Sequence, residues 1–104
     1  MTVIARFEIL PVGESHMSES IARALDALEE TGVTYETTGM DTIVEAETAA
    51  EVFTALQAAH EAAADGRLVT NIEIDDDPEA EQSAEARISA VEKARKHSAG
   101  AAKP

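Results

Sequence analysis

The 104-residue chain contains no cysteine and no tryptophan, and one tyrosine and two phenylalanines are its whole aromatic complement. The absence of thiols excludes a disulfide framework and any thiolate metal site. Three aromatics leave little with which to line an oxidation pocket. No apolar run approaches the roughly 20 residues of a membrane span, and no basic segment followed by an apolar one marks a secretory leader. A soluble, cytoplasmic protein is expected. Lysine is scarce too: Lys93, Lys96 and Lys103 are the only three.

What the chain has in excess is negative charge, with 21 Asp and Glu against 8 Lys and Arg and a formal net charge of -13. Such a surface repels phosphate backbones and anionic lipid, which removes nucleic acid and membrane surfaces from the expected partners and leaves cations among them. An acidic, lysine-poor, alanine-rich composition also fits a halophilic setting, where salt screens the self-repulsion. The length suits one small domain whose core is marginal in area, so self-association would add to its stability.

Two short runs rich in β-branched residues, Val33 to Thr38 and Thr42 to Ala46, flank Gly39-Met40-Asp41 and read as a β-hairpin. Before it, Thr2 to Val12 alternates as a strand, and Ile21, Ala24, Leu25 and Leu28 recur at helical spacing behind a Ser18 N-cap and ahead of Gly32. After it, Thr48-Ala49-Ala50-Glu51 has capping-box spacing. A helix follows whose core face is expected to be Val52, Phe53, Leu56, Ala59 and Ala63, with Gly66 closing it, and then a strand from Arg67 to Asp75. The acidic run Asp75-Asp76-Asp77 with Pro78 is expected to cap a third helix through Ala84, Ile88, Val91 and Arg95.

The order is an α+β, ferredoxin-like βαββαβ sandwich: a four-stranded antiparallel sheet with two helices on one face, plus a C-terminal helix. A single domain over residues 1–97 is expected, followed by a disordered tail over 98–104. Alternation assigns Arg6, Glu8, Glu36, Thr38, Ile43, Glu45, Asn71 and Glu73 to the open face of the sheet. A solvated face is ordinary for antiparallel sheets. This one, rich in carboxylates, could also receive a cationic or hydrogen-bonding small molecule near a subunit interface.

The run Tyr35-Glu36-Thr37-Thr38-Gly39-Met40-Asp41-Thr42-Ile43-Val44-Glu45 resembles the hairpin signature of the small thiamine-binding (YkoF-like) family. Pro11-Val12-Gly13, the serines Ser15 and Ser18, Ala58-Ala59-His60-Glu61, Val69-Thr70, Ile72-Glu73-Ile74-Asp75-Asp76 and Ile88-Ser89-Ala90-Val91-Glu92 match in order, so the likeness runs from Val3 to about Lys93. The resemblance implies a ferredoxin-like fold, assembly as dimers or dimers of dimers, and binding of thiamine or its pyrimidine moiety without chemistry. Thiamine would be a bound ligand, with no further cofactor and no metal. The family pattern has glycine, serine and a basic residue where this chain has Ala46, Asn71 and Asp77; Asn71 would then alter a pocket wall.

On this reading Glu8, Glu36 and Glu45 pair with the thiazolium or aminopyrimidine, Thr38 and Thr42 supply hydroxyls, and Pro11, Met40 and Ile43, with Leu10, contact the rings. Each has a plainer role available. A glutamate can neutralise Arg6 across the strands, a hairpin threonine can serve its own turn, Ser18 can cap the helix or meet a phosphate, and His60 can pack at a helix boundary. No H-E-x-x-H or H-x-x-E-H motif accompanies His16 or His60, and no catalytic residues are expected. Two other classes remain open: a cofactor-free ferredoxin-like enzyme of monooxygenase or isomerase type, and a regulatory or assembly module.

Overall fold

Alternation along the first strand decides the architecture. Val3, Ala5, Phe7 and Ile9 of β1 (Val3–Pro11) are buried on one side, while Arg6 and Leu10 are exposed on the other. The computed structural model describes residues 2–13, 17–79 and 83–102, with side chains to Arg95. Its elements follow as α1 (Met17–Glu30), β2 (Thr34–Thr37), β3 (Thr42–Ala46), α2 (Ala49–Ala63), β4 (Leu68–Asp76) and α3 (Ala84–Ala102). The sheet order is β2-β3-β1-β4 with every neighbour antiparallel, the ferredoxin-like α+β arrangement expected from the sequence. Registers such as Ala5 opposite Val44 on one side and Ile74 on the other place the apolar residues of three strands on the face that α1 and α2 cover.

The core is made largely of small residues. Ala24 and Leu28 of α1 meet Val52, Ala55, Leu56, Ala59 and Ala63 of α2 over the β1 stripe and Val44. Alanines lose no side-chain rotamer entropy on burial and let backbones approach closely, but each removes little area from water. Phe53, expected in this core, is 57% exposed, and Ala55 holds its place. Val52, Ala55, Leu56, Ala59 and Ala63 define a narrow stripe at 100° per residue, and Phe53 falls about 60° beyond its edge.

Helix ends show which local signals were sufficient. Thr48 is the N-cap of α2, its hydroxyl accepting from the Glu51 amide at 3.2 Å and donating a hydrogen bond to Glu51 Oε1 at 3.0 Å. Gly32 follows α1 with φ +80, as expected. Gly66, at φ +108, instead turns the chain into β4, because α2 has already ended at Ala63. Ser18 lies inside the first turn of α1, which begins at Met17, so it does not cap the helix.

The Asp75–Pro78 run does not cap α3 either. Asp75 and Asp76 continue β4 opposite Ile4 and Val3, and the Asp77 carboxylate accepts from the Glu79 amide within a turn. Ser83 is the cap, its hydroxyl accepting from the Ala86 amide at 3.0 Å. From there α3 continues to Ala102, into the stretch expected as a tail. Its first turn is tied to the open face of the sheet, where Glu45 Oε1 accepts the Ala84 amide and Arg87 Nη1 reaches Asp75 Oδ2 at 2.6 Å. Among the described residues no helix is long and apolar enough to cross a membrane.

One cation joins the two core helices. Arg23 of α1 donates from Nε to the carbonyl of Ala62 at 3.1 Å and from Nη2 to that of Ala63 at 3.5 Å, while Ser20 Oγ accepts a further bond from Nη2. These carbonyls close the last turn of α2, where positive charge is favoured by the aligned peptide dipoles. Arg23→Ala should lower unfolding stability by about 1 kcal/mol, given the side chain's exposure. Denaturant titration measures this directly, and an unchanged midpoint would mean that water serves those carbonyls equally well.

Candidate ligand-binding site

The hairpin between β2 and β3 is closed by side chains. The Thr38 amide donates to the Asp41 carbonyl at 2.8 Å, and Thr38 Oγ1 accepts from the amides of Met40 and Asp41, each at 3.1 Å, while donating to Asp41 Oδ1 at 2.8 Å. The Thr38 hydroxyl is thus committed to its own turn. Asp41 Oδ2 accepts from Arg6 Nη1 at 3.1 Å, and Arg6 Nε donates to Glu73 Oε1 at 3.4 Å. The bond to Asp41 first, and then the field of Glu73, push the Arg6 guanidinium still further above its ordinary value, so it is a fixed cation. Met40 stands at the tip, 82% exposed.

Beneath this turn lies a hollow of about 170 Å³, between the start of α1, the C-terminal half of β1 and the beginning of β3. Phe7, Ile9, Ile21 and Leu25 give it apolar walls, and Met17 and Met40 stand at its more exposed end. Its polar lining comes from Glu8, Thr37, Thr38, Asp41 and Thr42. Thr42 is buried, two residues before Val44 and on the same helix-facing side. Of the residues singled out in the sequence, the hollow brings together Glu8, Leu10, Thr38, Met40 and Thr42.

The others fall elsewhere. Glu36, Ile43 and Glu45 line a second, wider hollow of about 430 Å³ on the opposite face of the sheet, closed on one side by Ala84, Glu85 and Ile88 of α3. Glu45 is already engaged there by the Ala84 amide. Asn71 lines neither hollow; its Nδ2 donates to Glu8 Oε1 at 3.2 Å across the β1–β4 pair. Pro11 lines neither as well, standing opposite Leu68 where β1 ends. His60 Nδ1 lies 2.7 Å from Thr70 Oγ1 and fastens α2 to the outer strand, a packing role at a helix boundary. Ser15 and His16 lie outside the described residues, among which no group of three or more His, Asp or Glu side chains could hold a metal ion.

Sequence reasoning missed the walls that α1 contributes. Met17, Ile21 and Leu25 repeat every four residues, a stripe legible as apolar, but nothing in the spacing separates a helix turn over the core from one over a cavity. It also passed over Asp41, whose position beside the turn threonine was the available signal.

The family model described as thiamine-binding protein matches residues 5–92. A UPF0045 protein of Methanothermobacter thermautotrophicus is 34% identical over 94 residues, which span 86% of this chain and 95% of that one. Among solved structures, a hypothetical protein of Methanocaldococcus jannascii superposes with a TM-score of 0.79 at 24% identity, covering 88% of this chain and 97% of its own. A Thermotoga maritima protein ascribed to thiamine biosynthesis or salvage superposes with a TM-score of 0.70 at 21% identity, over 88% of this chain and 99% of that one. Those two likenesses speak for the fold, while the family match covers most of the length, and the chain belongs to the thiamine-binding protein family.

Proposed function

We propose that this protein binds thiamine, or the aminopyrimidine half of it, in the hollow beneath the hairpin and carries out no chemistry on it. The observation that carries this reading is the combination of size and lining. About 170 Å³ is the liquid volume of roughly five or six waters and lies below the ~300–1,000 Å³ of pockets that enclose whole drug-sized ligands. Such a space takes one heteroaromatic ring and leaves a second ring outside. Phe7, Ile9 and Leu25 would flank the ring, the Thr42 hydroxyl would meet a ring nitrogen or amino group, and the thioethers of Met17 and Met40 would adapt to whatever emerges.

Catalysis has less support. The two acidic residues of the described lining are both partnered, Glu8 by Asn71 and Asp41 by Thr38 and Arg6, and none of the described histidines lines the hollow. The family's description as thiamine-binding supports the binding reading.

The reading extends to self-association. Ile88 and Val91 on α3 are 59% and 57% exposed. All three lysines and two of the five arginines lie from Arg87 onward, whereas twenty of the 21 acidic residues precede it. With Lys93 and Arg95 exposed beside Ile88 and Val91, this stretch of α3 is complementary in charge to the open face of a second copy, where Glu36, Ile43 and Glu45 line the wider hollow.

Isothermal titration of the purified protein with thiamine and with hydroxymethylpyrimidine should give saturable binding, and Thr42→Val should weaken it about three- to tenfold, the loss of one hydrogen bond. No heat with either compound, from protein shown to be folded, would reject the ligand assignment. For self-association, sedimentation in rising salt should show a dimer or larger species that Lys93→Glu with Arg95→Glu dissociates. A monomer at every concentration and salt would reject it.

A further inference from the structure

Arg6 occupies the open face of β1, on the opposite side of the sheet from the Thr42 side chain, yet its guanidinium reaches the turn that forms one wall of the ring-sized hollow. It bridges two elements, Asp41 of the hairpin at 3.1 Å and Glu73 of β4 at 3.4 Å. Asp41 is the more enclosed partner, its side chain 16% exposed against 45% for Arg6. Its second oxygen accepts from the Thr38 hydroxyl, which in turn accepts the amides of Met40 and Asp41. One guanidinium therefore sits at the head of a chain of bonds that ends in the backbone of the turn.

This has a consequence for the charge that a ligand meets. Glu8 and Asp41 are the acidic residues of the described lining, and the Glu8 carboxylate is turned to the open face, where Asn71, opposite it on β4, donates to it. Asp41 is the one whose charge is compensated by a cation, and that cation is Arg6. We infer that Arg6 is a positioning and specificity-determining residue: by neutralising Asp41 and holding the hairpin to the sheet, it makes the hollow prefer a neutral heteroaromatic ring to a cationic one. The inference rests on the ring-binding reading above and sharpens it, because the neutral pyrimidine enters and the cationic thiazolium stays outside. A merely structural ion pair at an exposed site would shift stability slightly and leave ligand preference alone.

The test compares thiamine, as the cationic probe, with hydroxymethylpyrimidine at mildly alkaline pH, where that ring is neutral. Both are titrated into wild type, Arg6→Gln, Arg6→Lys and the double variant Arg6→Gln with Asp41→Asn. In Arg6→Gln the affinity ratio should move toward thiamine by about three- to fivefold, the span expected of a partly exposed ion pair. Lysine at this position should largely restore the wild-type ratio, and so should the double variant, which lacks the uncompensated carboxylate. A ratio unchanged in Arg6→Gln overturns the specificity role. Amide hydrogen exchange at Met40 and Asp41 in the ligand-free protein reads the positioning role separately. Faster exchange in Arg6→Gln supports it, and equal protection overturns it. If neither probe binds wild type, the ring-binding reading fails and the specificity role with it, while exchange at the hairpin still decides whether Arg6 positions the turn.

Discussion

Everything in this fold depends on β1 having two faces of opposite character. Its odd positions, Val3, Ala5, Phe7 and Ile9, are removed from water by both core helices, and its even positions carry the polar contacts of the open face. Because side chains alternate with period two, a one-residue slip of β1 against β3 or β4 would exchange Phe7 for Arg6 in the core. That would bury a guanidinium away from both of its carboxylates, at a cost far above the few kcal/mol gained by burying one apolar side chain. The register that seals the core is thus the same register that sets Arg6 opposite Ile43 and Glu73 and within reach of Asp41.

The hollow follows from how little bulk surrounds that stripe. Leu28, Val3, Val44 and Val52 are the largest fully buried side chains, and α2 contributes alanine at three of its five buried positions. Where α1 begins, the side chains over β1 are long and only partly covered, and the hairpin roof ends in an exposed methionine. Close packing excludes cavities when elements interlock along their whole length. Here the interlock holds from the middle of α1 to its end and opens at its start, which places a cavity at the end of the sheet that the hairpin covers.

How much of this the sequence disclosed divides along physical lines. Signals contained within a few residues were sufficient: the alternation of β1, the Thr48-Glu51 cap, the two strands about Gly39-Met40-Asp41 and the glycine after α1. Signals that a partner strand or a distant side chain decides were not. Asp76 reads as part of a helix-capping run, yet β1 is nine residues long and offers it Val3 as a partner, so strand pairing took it. Phe53 reads as core by hydrophobicity, but its angular position on the helix outweighs its size. The candidate site was legible as a set of residues and not as a place. Thr42 and Ile43 border different hollows because period two sends neighbours on one strand to opposite faces, whereas Thr38 parts from Glu36 because β2 ends at Thr37 and Thr38 belongs to the turn.

That division gives the two faces different work. Under the hairpin, charge is compensated within the chain, and the hollow keeps apolar walls and one buried threonine. On the open face, carboxylates accumulate beside the first turn of α3, which the Glu45 carboxylate secures by accepting its Ala84 amide. Uncompensated charge spread over a surface acts at longer range than a hydrogen bond and is weakened by salt, so it suits the steering and docking of a large charged partner better than the grip on a ring-sized ligand. Arg6 lies between these regimes, drawing one carboxylate of the hairpin and one of β4 onto a single cation. One guanidinium thus couples a carboxylate of the open face to the turn that roofs the hollow, so loss of the Glu73 contact would leave Asp41 as the sole carboxylate on it.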